Sequence, residues 1–186
     1  MPETPATLRQ ALRERTGPRH DALDAAMSWL DLTDRQDYAR FLTIQHRARS
    51  GIEAWLVRNA PSDLTPPPAT GLIAQDLAAL GMAEPDYHTF AGHGLIPASA
   101  LGMVWVLSGS HLGNRAMLHD LGKNGADDDW PRAFLSDPAS AAYFKRLLPR
   151  LARPVTPADH IVMAGADAVF VHFLAVAGEQ TQAHAA

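Results

Sequence analysis

Two places in the chain pair residue types that do chemistry with spacings that a helix would use. The first is "RTGPRHDALD" at 15–24, where Asp24 follows His20 by four residues. One helical turn apart, the two side chains share a face. The carboxylate can take the proton on one ring nitrogen and leave the other free for a metal, the usual support for a ligating histidine. Arg13 stands seven residues before His20. Seven residues is close to two turns, so a continuous helix puts both on one face with about 10 Å between their backbones. Gly17-Pro18 lies between them as an expected break or kink. The residues alone leave a plainer alternative open, with Arg13 a solvated cation and Asp24 an exposed acid.

The second place is "GSHLGN" at 109–114, inside the apolar run "ALGMVWVLSGSHLGNRAMLHDL". That run reads as one buried helix, in which each glycine costs roughly 1 kcal/mol relative to alanine. At about 100° per residue, Gly109 and Gly113 point within roughly 40° of each other and make a bare patch where a flat ligand could meet main chain. Tight packing of helix on helix is the competing explanation, and spacing alone favours it. His111 projects to the opposite side and is not a ligand candidate. His88 and His93 fall in a loop and His184 in a tail.

The elements that must position these residues are helical. Leu8, Leu12, Leu23, Ala26 and Met27 recur at helical spacing over 4–30, and Thr33 or Asp34 caps a following helix carrying Tyr38, Phe41, Leu42, Gln45, Ile52, Trp55 and Leu56 on one side. The prolines of "NAPSDLTPPPAT" end it, "LIAQDLAAL" is a short helix closed by Gly81, and "GMAEPDYHTFAGHGLIP" is a loop whose Pro97 starts the next helix. "RAFLSDPASAAYFKRLLPRL" reads as a broken helix or two short ones, and a last helix follows Thr156. Strand signals and repeats are absent. The expectation is an all-α, single-domain bundle over 1–186 with seven to nine helices.

Composition bounds the chemistry. The 186 residues are 47% apolar with a net charge of -4 and no cysteine. A disulfide framework, a thiolate metal site and a cysteine nucleophile are excluded. The charge speaks against nucleic acid as the main partner. No uninterrupted apolar run reaches the roughly eighteen residues of a membrane span, and the N-terminus lacks the apolar centre of a secretory signal, so a cytoplasmic protein without membrane attachment is expected. The acidic run "DDD" at 127–129 reads as a solvated loop rather than a cation site.

With these residues in view, the chain resembles bacterial haem oxygenases of the type found beside bacteriophytochromes. "LRERTGPRHDALDAAM" is similar to the proximal helix and its T-x-P-x-H-x-x-L-D/E pattern, "DLAALG" to a short-helix motif, "VLSGSHLGNR" to the distal helix "VLEGSTLGGR", and "WPRAFL" to the segment after the next loop. The resemblance implies a haem oxygenase-like bundle. In it His20 is the iron ligand, Asp24 its hydrogen-bond partner and Arg13 a propionate contact. Gly109, Ser110, Gly113 and Asn114 form the distal catalytic segment, with the two glycines facing haem. It also implies oxygen-dependent opening of haem to biliverdin with release of carbon monoxide and ferrous iron. Molecular oxygen is consumed, an external reductase or ferredoxin supplies electrons, and the protein is a monomer or loose homodimer.

The chain departs from the pattern in four places. Ser110 stands, as in the bacterial type, where animal-type members have aspartate, Asn114 where relatives have a second glycine, and Trp105 where many have tyrosine. The last helix carries no lysine or arginine. Two further readings therefore stand beside the enzyme: a haem-binding sensor or carrier without turnover, and a cofactor-free helical interaction module. Thiaminase-type relatives need a cysteine, and di-iron bundles need Glu-x-x-His pairs, so neither fits.

Overall fold

A computed structural model describes residues 6–123 and 129–185. Asp127 and Asp128 of the acidic run lie outside the described residues. Seven α-helices and three short 3-10 turns account for the regular structure among them.

Helix α1, Leu8–Met27, begins at a reciprocal cap in which the Thr7 hydroxyl accepts from the Gln10 N–H and the Gln10 side chain accepts from the Thr7 N–H. It runs unbroken through Gly17-Pro18, so Arg13 and His20 do sit two turns apart on one helix. Pro18 removes only its own N–H bond, on the exposed side, while Leu8, Leu12 and Thr16 face the core. Helix α2, Arg35–Asn59, is capped by Asp34, as its sequence predicts. Helix α3, Thr70–Ala79, has no cap of its own. The buried Glu53 of α2 supplies one, accepting from the Ala69 N–H and the Thr70 hydroxyl at 2.9 and 2.8 Å.

Where one long helix is expected over 100–121 there are two, α4 at Ala100–Gly109 and α5 at His111–Lys123, separated at Ser110. Helix α6, Pro138–Leu151, is a single helix with Asp137 as its cap, and the residues before it form a turn rather than a helix. Helix α7, His160–Ala185, follows a 3-10 turn capped by Thr156 and Asp159. By length and composition Pro157–Ala183 could cross a membrane, with a mean hydropathy of 1.9. Here it is the central helix of the bundle, packed against α1, α2 and α4.

The tightest crossing is α4 on α7, and glycines make it. A Cβ on Gly102 would stand 1.8 Å from the Val162 carbonyl oxygen, and one on Gly165 2.1 Å from that of Ser99. Neither neighbour is a side chain that can rotate away. Overpacking here falls at the upper end of the usual range, so Gly102→Ala should cost about 3 kcal/mol. For a domain of this size that lowers Tm by roughly 10 °C. A thermal melt of Gly102→Ala within 2 °C of the parent chain would refute this account of the crossing.

Two of the motifs quoted above meet through one side chain. Asp76 of "DLAALG" is buried, and its two oxygens accept the N–H groups of Ala133 and Phe134 in "WPRAFL", both at 2.9 Å. Burial pushes its pKa up while those two N–H donors pull it back. The Tyr38 hydroxyl donates to the Pro131 carbonyl at 2.9 Å, and the Arg35 guanidinium lies over the Trp130 ring. The turn at 130–135 is thereby fixed against α2 and α3, which matters for what it holds next.

Candidate functional site

His20 and Asp24 come together as their spacing predicts. His20 Nδ1 stands 3.2 Å from Asp24 Oδ2 and 3.9 Å from Asp21 Oδ1. Both residues are exposed, with 61% of the His20 side chain open. Its ring also meets the Phe170 ring of α7 edge to face at 6.2 Å. Asp24 thus approaches the ring on its Nδ1 side, and Nε2 has no hydrogen-bond partner among the described residues. Arg13 lies on the same exposed face and lines a shallow depression with Gln10, Glu14, Gly17, Pro18 and Asp21.

Most of the other histidines have structural occupations. His46 pairs with Glu84 and His88 with Glu179. His111 Nδ1 donates to the Ser108 carbonyl, and His160 Nδ1 donates to that of Pro157. His172 is buried beside His88 and Phe90, and burial drops its pKa to about 4, keeping it neutral. Among the described residues no three His, Asp or Glu side chains cluster in a way that could hold a metal ion. A metal brought in by a cofactor with its own equatorial ligands is the kind one histidine can serve.

The glycine pair is not a packing device. A Cβ built on Gly113 meets nothing within 4 Å, and one on Gly109 meets only the Phe144 ring at 3.7 Å. Close packing is the work of Gly102 and Gly165. At 109–113 the helix itself breaks, and side chains satisfy the carbonyls that the break releases. The Ser110 hydroxyl donates to the Leu107 carbonyl at 2.7 Å, and His111 Nδ1 takes that of Ser108 at 2.6 Å. On the far side of the break the first bonded amide of α5 is that of Asn114, which reaches the Ser110 carbonyl. As the first residues of α5, His111, Leu112 and Gly113 have no carbonyl partner within that helix for their N–H groups.

Ser110 and Asn114 are tied inward. Ser110 Oγ accepts from Arg49 Nη2 at 2.7 Å, and the buried Asn114 amide donates to the Phe134 carbonyl at 3.5 Å. Arg49, on α2, is 4% exposed. It also donates through Nε to Gln45 at 3.2 Å and through Nη2 to the Leu107 carbonyl at 3.5 Å, and it stacks over Phe134. Burial pushes its pKa down. Sequence reasoning missed Arg49, although its signal was there: a cation at 49 falls within the stripe that runs from Tyr38 through Leu42 and Gln45 to Ile52 and Leu56.

α7 lies along both α1 and α4, whereas α1 makes no extensive contact with α4 or α5. α1 and α4 are therefore placed by a common wall, α7, rather than by extensive contact with each other. Leu112 on α5 and Val171 on α7 leave about half of their surfaces open, at 57% and 50%.

No protein-family model matches the chain, and no curated protein does. Among solved structures, the heme oxygenase of Neisseria meningitidis, determined with NO and CO bound, superposes with a TM-score of 0.69 at 19% identity, over 94% of this chain and 92% of that one. The architecture reached from the residues upward, an all-helical bundle with α7 at its centre, is thus the haem oxygenase fold.

Proposed function

We propose that the chain is a haem oxygenase that opens haem to biliverdin. The observation that carries the reading is the contrast between its glycines: Gly102 and Gly165 are consumed by packing, while Gly113 faces open space in the first turn after the helix break at Ser110. The residues present suit the group. His20 Nε2 would hold the iron, with Asp24 fixing the ring tautomer and orientation. Arg13, two turns along the same helix, would meet a propionate, and the half-open surfaces of Leu112 and Val171 are apolar area that a porphyrin would cover.

Bound haem supplies the iron at which molecular oxygen is activated, and it is also the substrate that is opened, with carbon monoxide and ferrous iron released. The chain's own part is orientation and polarity. The main chain at Gly109 and Gly113 lets the helix approach without a side chain between. The N–H groups of His111, Leu112 and Gly113 offer donors where negative charge would gather. Ser110 acts on this wall by position, since its proton is committed to the Leu107 carbonyl and its oxygen to Arg49. Asn114 anchors α5 to the turn at 130–135. An external reductase or ferredoxin would supply electrons, and the reaction would serve either chromophore supply to a bacteriophytochrome or iron acquisition, in a cytoplasmic monomer or loose homodimer.

The test is to add hemin to the purified chain, then a reductant in air. A haem absorbance band that forms and gives way to that of biliverdin supports the enzyme. A band that persists supports a sensor or carrier instead, and no band at all supports a cofactor-free interaction module.

A further inference from the structure

Arg49 is a buried guanidinium for which no carboxylate makes an ion pair among the described residues. The acids whose charges reach it are already engaged. Glu53 caps α3, and Asp137 caps α6 by accepting the N–H groups of Ala139 and Ser140 at 2.9 and 3.0 Å. Its partners are otherwise neutral: the Gln45 amide oxygen, the Leu107 carbonyl, the Ser110 hydroxyl and the Phe134 ring. The charges of Glu53 and Asp137 offset part of this cation's field, but neither carboxylate pairs with it, and burial leaves little water to screen what remains. That field is centred one hydroxyl away from the break, beside the first turn of α5, whose N–H dipoles point the same sign of charge toward it.

Resting on the haem reading above, we propose that Arg49 is a positioning residue that fixes the break through Ser110 and Leu107, and whose charge makes the distal side of the site select small anions over neutral ligands. The ligand class is a compact monoanion at the open side of the haem, opposite His20. Ser110 is the spacer: it cannot donate outward, so polarity at this wall comes from Arg49 behind it and the amides beside it.

The experiment uses the haem-loaded protein and two probes, azide with the ferric form and carbon monoxide with the ferrous form. Arg49→Met fills the stem volume without the charge, and Arg49→Gln keeps a donor for Ser110 without the charge. A unit charge at this range in a partly shielded interior shifts an anion's affinity by about ten-fold. Both variants should therefore weaken azide about ten-fold while carbon monoxide changes less than about three-fold, and Arg49→Lys should hold azide near the parent value. Equal losses for both probes, an azide affinity unmoved by removing the charge, or collapse of the helical circular dichroism in both uncharged variants would overturn the proposal in favour of a purely architectural arginine. Absence of a haem band in the parent chain would instead bring down the haem reading itself, and this inference with it.

Discussion

His20→Ala is expected to abolish the axial bond to iron and to lower haem affinity by roughly 100-fold or more, which corresponds to about 2.7 kcal/mol. The fold should be untouched, because the side chain is mostly exposed and its contacts are Asp24, Asp21 and the edge of Phe170. Asp24→Asn should act in the same direction but less, about ten-fold, since it removes the group that orients the ring and not the ligand. Titration with hemin, followed by absorbance, measures both. Imidazole added to His20→Gly should restore the spectrum of the parent complex. His93→Ala, in an exposed loop position, is the control and should change nothing. Parent-like affinity and spectrum in His20→Ala would show that some other residue holds the iron.

Gly113→Leu should separate site from scaffold. A Cβ at this position meets nothing within 4 Å, and leucine favours a helix over glycine by up to about 1 kcal/mol, so Tm should hold or rise slightly. The same side chain would stand where a flat ligand has to lie against main chain. Haem affinity should fall by about ten-fold or more, estimated from the overlap of a buried isobutyl group with a ligand that has no room to shift. Gly102→Ala should do the reverse, losing stability through its clash with the Val162 carbonyl. The pair of variants distinguishes two glycines that look alike in sequence, one pressed against the backbone of a neighbouring helix and one facing open space. A Gly113→Leu chain that binds haem normally would leave the open face without a purpose.

Much of this architecture is legible before any coordinates. Asp34, Thr156, Gly81 and Pro97 sit at helix ends because each solves a local problem of capping or backbone geometry. The His20–Asp24 pair is local as well, one turn within one helix. What the sequence hides is set by long-range contacts. The apolar run at 100–121 has nothing in its periodicity that announces a break at Ser110. At the break Ser110 meets Arg49, sixty-one residues earlier, and His111 turns back to the Ser108 carbonyl. Asp76 reads as an ordinary helix acid until the turn at 130–135 delivers two amides to it. The roles of the glycines divide only once α7 is laid across α4, since contact with a carbonyl or with nothing is decided by a partner helix.

All of this rests on one spatial claim, that a porphyrin lies between His20 and the exposed main chain at Gly109–Gly113. A crystal structure of the chain loaded with haem tests it directly. The account predicts His20 Nε2 on the iron, Asp24 on Nδ1, and the opposite face of the ring against Gly109 and Gly113 with no side chain intervening. Haem seated elsewhere, or iron bound by a different residue while His20 stays in solvent, would contradict it.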